Sequence, residues 1–161
     1  MGIYMKYGDI KGDATQEGFE HWINVTHFTW SNAVTRDIKT HTGKGRNREQ
    51  GQPVVNQIMI NKEVDHASGP LYKSLVTVPQ ATDCTIAFVR TEEGGEKYLE
   101  YNLTDTLLAN LNLTGDGDRA SETWTLDFTR VKISVKQLSE SNESSASPFH
   151  FEFDRATGKG H

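Results

Sequence analysis

Asp65, His66 and Ser68 bring the residue types of a nucleophilic triad within four positions. Such a triad needs an imidazole to take the serine proton and a carboxylate to hold the ring, and its members normally converge from separate elements. Here all three crowd the start of one helix, where capping and turn roles explain them better. Asp116, Asp118 and Glu122 resemble a fragment of a calcium loop, but the twelve-residue ligand spacing is missing, so a solvated hairpin turn is favoured. GKGRNR, around Lys44, has glycine and lysine without the spacing or the strand-then-helix setting of a phosphate loop, and reads as a basic arm. The histidines at 21, 27, 41, 66, 150 and 161 show no metal-ligand spacing. Cys84, the one cysteine, sits in the apolar run CTIAFV and reads as a buried, inert thiol. No catalytic, cofactor-binding or metal-ligating residue is assigned, and no enzyme activity or cofactor is expected.

The element that must position these residues is Lys62–Thr77, KEVDHASGPLYKSLVT, the one good helix signal in the chain. Ser68 can cap it and Pro70 presets the first turn. Leu71, Leu75 and Val76 form an apolar stripe, and Val78-Pro79 ends the run. Nearly everything else reads as strand, so one helix must cover an open part of a β structure.

The strands are legible by their parity. Ile3–Tyr7 is the first, and His21–Val34 the second, with Phe28 and Trp30 on one face and His27 and Thr29 on the other. Arg36–Gln52 carries one aliphatic residue among charges and glycines and reads as a long loop or extended arm. Pro53–Val64 is a strand with Val54, Ile58 and Ile60 on one face and Val55 and Met59 on the other. Thr82–Arg90 is a strand ending in the turn Glu92–Gly95. From Leu99 to Leu113 apolar residues keep odd positions, which predicts one long strand bent near Asp105. Gly115–Asp118 is a turn, and Ala120–Gln137 the returning strand, whose parity switch between Phe128 and Val131 predicts a bulge near Thr129-Arg130. Ser139–Ser147 is a polar linker, Pro148–Phe153 a last strand, and the terminal GKGH is expected to fray.

The chain has 161 residues, room for one sizeable core. With 17 Lys and Arg against 22 Asp and Glu its net charge is -5, which argues against nucleic-acid binding. No apolar run approaches the roughly 20 residues of a membrane helix. The N-terminal MGIYMKYGDIKGD lacks the apolar region of an export signal.

Three pieces in order carry a family resemblance: IYMKYGDIKGDATQEGFEHWINVTHFTW, IMINKEVDHASGPLYKSL and YLEYNLTDTLLANLNLTGDGDRASETWTLDFTRVKISV. Together, from Gly2 to Val135, they resemble the haemolysin-coregulated protein (Hcp) family, the tube subunit of bacterial type VI secretion. The resemblance implies a mainly β protein, a small barrel of two packed sheets with one flanking helix, in residues 1–136. Residues 137–161 are then a linker and a strand-like extension longer than the family pattern needs.

The same resemblance implies a structural role. Homo-hexameric rings stack into an inner tube that a sheath drives out of the cell behind a spike, with effector proteins in the channel. Such a protein starts in the bacterial cytoplasm and ends outside without a signal peptide, with no nucleic-acid partner and no membrane insertion. Within that picture His27 and Thr29 are expected to face the channel and touch effectors. Lys44, Arg46 and Arg48 of the arm are expected to meet Asp116 and Asp118 of the next ring. The rival readings are a chaperone-like effector-binding ring without a stable tube role, and a hydrolase using Asp65 and His66.

Overall fold

The computed structural model describes residues 2–40, 48–50, 53–90, 95–136, 149–155 and 159–160. Eight strands come first: β1 Gly2–Tyr7, β2 Ile23–Val25, β3 His27–Thr29, β4 Val34–Thr35, β5 Ile38–Thr40, β6 Arg48–Gln50, β7 Val54–Val55 and β8 Ile58–Glu63. Helix α1, Ser68–Val76, is followed by β9 Thr82–Arg90, β10 Glu96–Asp116, β11 Arg119–Asp127, β12 Arg130–Val135, β13 Phe149–Asp154 and β14 Lys159–Gly160.

The 21-residue β10 belongs to two sheets. Its first half lies between β9 and β12 in sheet A, which runs on to β1 and β2 on one side and to β13 and β14 on the other. Its second half, from Leu107, pairs with β11 in sheet B, followed by β8 and β3. The expected bend is at Asp105, whose φ of 52° is left-handed, and the register with β9 shifts between Leu103 and Thr106. Asp105 tolerates this conformation better than a branched residue would. Its Oδ2 also accepts a hydrogen bond from Thr129 Oγ1 at 3.2 Å.

Two expectations are corrected by the way the chain changes sheets. The bulge read near Thr129-Arg130 is a corner: β11 pairs with the second half of β10 and β12 with the first. The strand read over His21–Val34 is broken at Thr26, which gives both its N–H (2.8 Å) and its hydroxyl (3.0 Å) to the Asn61 carbonyl. That puts β2 in sheet A and β3 in sheet B. The sheets meet at these corners and form the expected two packed sheets, whose ladder does not close into a barrel among the described residues.

The core lies between the sheets. Register lines up Ile23, Met5, Ile86, Tyr101, Ile133 and Phe151 across sheet A, and Tyr7, Cys84, Leu103, Val131 and Phe153 in the next row. Sheet B answers with Phe28, Ile60, Trp124 and Leu111. As expected, Phe28 points inward, stacked on Tyr101 at 5.0 Å and edge-on to Phe88 at 5.2 Å. Trp30 joins them, with its indole N–H on the Asn56 carbonyl at 2.8 Å. Cys84 is buried, and burial pushes its thiol pKa up, as an inert thiol requires.

Smaller departures follow from local breaks. Asn56-Gln57 separates β7 from β8 and shifts the parity, so Val55 is buried and Val54 exposed, the reverse of the reading from spacing. Beyond the bend a register shift between Leu108 and Asn110 turns Leu108 and Leu111 to the core and leaves Ala109 and Leu113 outside. The last strand pairs with β12, and its Phe153 is buried in the common core. Lys159 and Gly160, expected to fray, pair with β13. Residues 91–94 and the linker at 139–147 lie outside the described residues.

Candidate functional site

The start of α1 holds a buried ionic cluster. The inward parity of Ile58 and Ile60 continues onto Lys62, and that of Trp124 and Leu126 runs back onto Glu122. Lys62 and Glu122 are cross-strand partners, both fully buried, with Nζ 3.0 Å from Oε1. Lys62 Nζ also donates to Ser68 Oγ at 3.1 Å and lies 2.8 Å from Asp65 Oδ1. Ser68 Oγ accepts the Asp65 N–H at 3.0 Å and donates to Glu122 Oε1 at 2.5 Å. The expected Ser68 cap is thereby corrected. Ser68 is the first helical residue, and the turn is closed by Asp65 Oδ1, which accepts the Ala67 N–H at 3.0 Å.

In an open cleft, lysine beside serine could serve as base and nucleophile. Here solvent does not reach either group, the hydroxyl proton is engaged by Glu122, and the ammonium is held between two carboxylates. The cluster fastens α1 to sheet B. Tyr72, one turn on, stacks on Trp124 at 5.7 Å, and burial together with Glu122 raises its phenol pKa.

The triad suggested by residue type is not assembled. His66 is 90% exposed and its Nδ1 lies 2.6 Å from Asp13 Oδ1, away from Ser68. That hydrogen bond holds the Asp13 carboxyl below the ordinary carboxylate range. The calcium-like fragment is also taken apart, because Glu122 faces Lys62 in the core while Asp116 and Asp118 are exposed. Among the described residues no group of three or more His, Cys, Asp or Glu could hold a metal ion, and no helix is long and apolar enough to cross a membrane.

His27 and Thr29 are exposed on β3, with Phe28 between them turned inward. Asp116 and Asp118 stand at the β10–β11 tip, where Gly117 supplies the φ of 51° the turn needs. Arg48 begins β6, which pairs with β5 in a separate two-stranded ladder, so part of the arm is regular strand rather than loop. Lys44 and Arg46 lie outside the described residues.

Among the described residues, sheet B has two unlike edges to which no further strand is paired. On one side is β3, and on the other the second half of β10, which pairs with β11 alone. From Leu107 to Gly115 that edge carries no charge and no proline, the devices that usually blunt an exposed edge. Leu113 on it is 64% exposed. Sequence parity identified the strand but not that one of its edges is open, since spacing specifies faces and not neighbours.

A family model described as type VI secretion system effector, Hcp, matches residues 4–135. Similar folds include a structure described as a type six secretion system protein, 18% identical over 99% of both chains with a TM-score of 0.88. Hcp1 from Salmonella typhimurium is 20% identical over 99% of this chain and 98% of its own, with a TM-score of 0.77. A chain of the PVC sheath–tube complex of an extracellular contractile injection system aligns over 83% of this chain and 88% of its own, at 18% identity and a TM-score of 0.61. No curated protein matches by sequence. With two sheets hinged at Asp105, one helix fastened to them and a family match over most of its length, the chain belongs to the Hcp family of type VI secretion proteins.

Proposed function

We propose that this chain is a structural subunit of the type VI inner tube. It forms hexameric rings that stack, leave the cell inside the contractile sheath behind the spike, and carry effectors in the channel. The observation that carries this reading is the pair of unlike open edges on sheet B. A closed ring needs a heterologous contact, in which each subunit presents two different surfaces. The β10 edge of one protomer against the β3 edge of the next supplies that contact through backbone hydrogen bonds and removes an unprotected edge from solvent. The likeness to a sheath–tube complex chain supports the same reading at the level of fold.

In this ring His27 and Thr29 face the channel, and Lys44, Arg46 and Arg48 meet Asp116 and Asp118 of the neighbouring ring. Light scattering and negative-stain imaging test the ring. Reversing Arg46 and Arg48 to Glu should shorten stacks and leave single rings, and unchanged tubes would remove the arm from the stacking contact. The alternative, an effector-binding ring without a stable tube role, is favoured by the open polar groups on the outer face of sheet B. A Thr29→Trp ring tests the channel assignment: normal co-purification of an effector would count against it.

A further inference from the structure

We infer that the outer face of sheet B is a charge-free wall that passenger proteins meet through hydroxyl and amide groups, so that their retention is indifferent to their own charge. This rests on the ring reading above. Register extends the wall from β3 across the sheet. His27 aligns with Asn61, Thr123 and Asn112 in one row, and Thr29 with Met59, Asn110 and a buried Thr125 in the next. At pH 7 with neutral histidine neither row holds a formal charge, in a chain whose residues are 24% Asp, Glu, Lys and Arg.

Charges bound the two rows at each end, where two ion pairs form within the chain and Asp116 and Asp118 stand beyond them at the tip. Glu63 takes Arg119 at 3.2 Å at one end, and Asp127 takes Arg155 at the other. The outer face of sheet A is the contrast. There Arg130 pairs with Asp154 and Glu152, Asn102 donates to Glu100, and Ser134 bonds His150 at 2.9 Å. That face spends its polar groups on itself. Among the described residues the side chains of His27, Asn61, Thr123 and Asn112 make no such bond, so their donors and acceptors are available to a visitor.

Hydroxyls and amides both donate and accept, so they suit any polar protein surface. Without a fixed charge on the wall, neither an acidic nor a basic passenger meets an ion-pair partner or a like charge at the contact itself.

The test uses purified rings and one small globular probe protein in acidic, near-neutral and basic surface versions, co-eluted in 0.1 M and 1 M salt. Wild-type rings should retain all three versions within about twofold of one another at both salts, as contacts without net charge are little screened. Asn112→Lys adds one cation per protomer and should raise retention of the acidic version roughly tenfold in 0.1 M salt, with the gain lost in 1 M salt. Asn112→Ser should behave as wild type. A wild-type ring that holds none of the versions, or that separates them more than about fivefold in 0.1 M salt, overturns the charge-free wall. So does an Asn112→Lys ring of normal mass with unchanged retention, and so does a loss of ring mass in that variant, which would make this face a subunit contact. A wild-type chain that forms no ring defeats the ring reading itself and is read from its mass before any probe is added.

Discussion

Lys62→Met removes the charge at the centre of the buried cluster while keeping most of the side-chain volume, so little cavity cost is added. Glu122 is then left fully buried with its ammonium partner gone; its Oε2 already has no hydrogen-bond partner. Breaking a buried pair on one side costs about 3–5 kcal/mol, because an uncompensated charge stays out of water. With an m-value of about 2 kcal/mol/M, the urea midpoint should fall by roughly 2 M. Fluorescence of Trp124, buried beside the cluster, reports the transition. Protein concentration must be matched between variants, since assembly adds to apparent stability. Lys62→Met with Glu122→Leu should recover at least half of the loss, because two apolar groups of similar size remove the fully buried charge and leave only Asp65, 11% exposed, without the ammonium. Ser68 then keeps its bond to the Asp65 N–H but lacks both charged partners, so recovery should fall short by about 1 kcal/mol. A single variant costing less than about 1 kcal/mol, or a double variant as unstable as the sum of its parts, would refute the reasoning.

Other perturbations test the corners and the edges of the fold. Asp105→Gly should be close to neutral, whereas Asp105→Val should cost at least 1–2 kcal/mol, because a branched residue resists the positive φ at the bend; denaturant midpoints decide. Phe153→Ala should cost about 3–5 kcal/mol, as expected for a buried aromatic, and a surface-like loss below about 1 kcal/mol would show that β13 is not part of the core. The Asp13 carboxyl is depressed by His66, so its contribution to stability is present above its unfolded pKa and is lost as pH falls through the lower folded value. In His66→Ala the Asp13 titration seen by NMR should move back up toward the ordinary carboxylate range; an unmoved midpoint would break the assigned cause.

Parity carried most of the fold in the sequence. Odd positions from Leu99 to Leu103 and even positions from Trp124 to Phe128 specify faces, and the bend at Asp105 and the helix around Pro70 follow from local chemistry. Parity cannot say which strand sits beside which. The break at Thr26 therefore looked like continuous strand, and the corner at Phe128-Thr129 looked like a bulge, because both keep a nearly regular pattern while changing partner. The Lys62–Glu122 cluster was legible in principle: two opposite charges each stand where their strand's inward pattern demands an apolar residue. Residue type alone points to His66 instead, which faces solvent. The outer face of sheet B needed register, since the residues that compose each row are tens of positions apart in the chain.

The most direct test of the ring reading is the mass of the purified chain by light scattering, with negative-stain images of the same peak. A hexameric mass with ring-shaped views is the expected result, and it would direct attention to the sheet B edges and the arm. A clean monomer at high concentration would contradict it, leaving the open edges of sheet B without the partner that the tube requires.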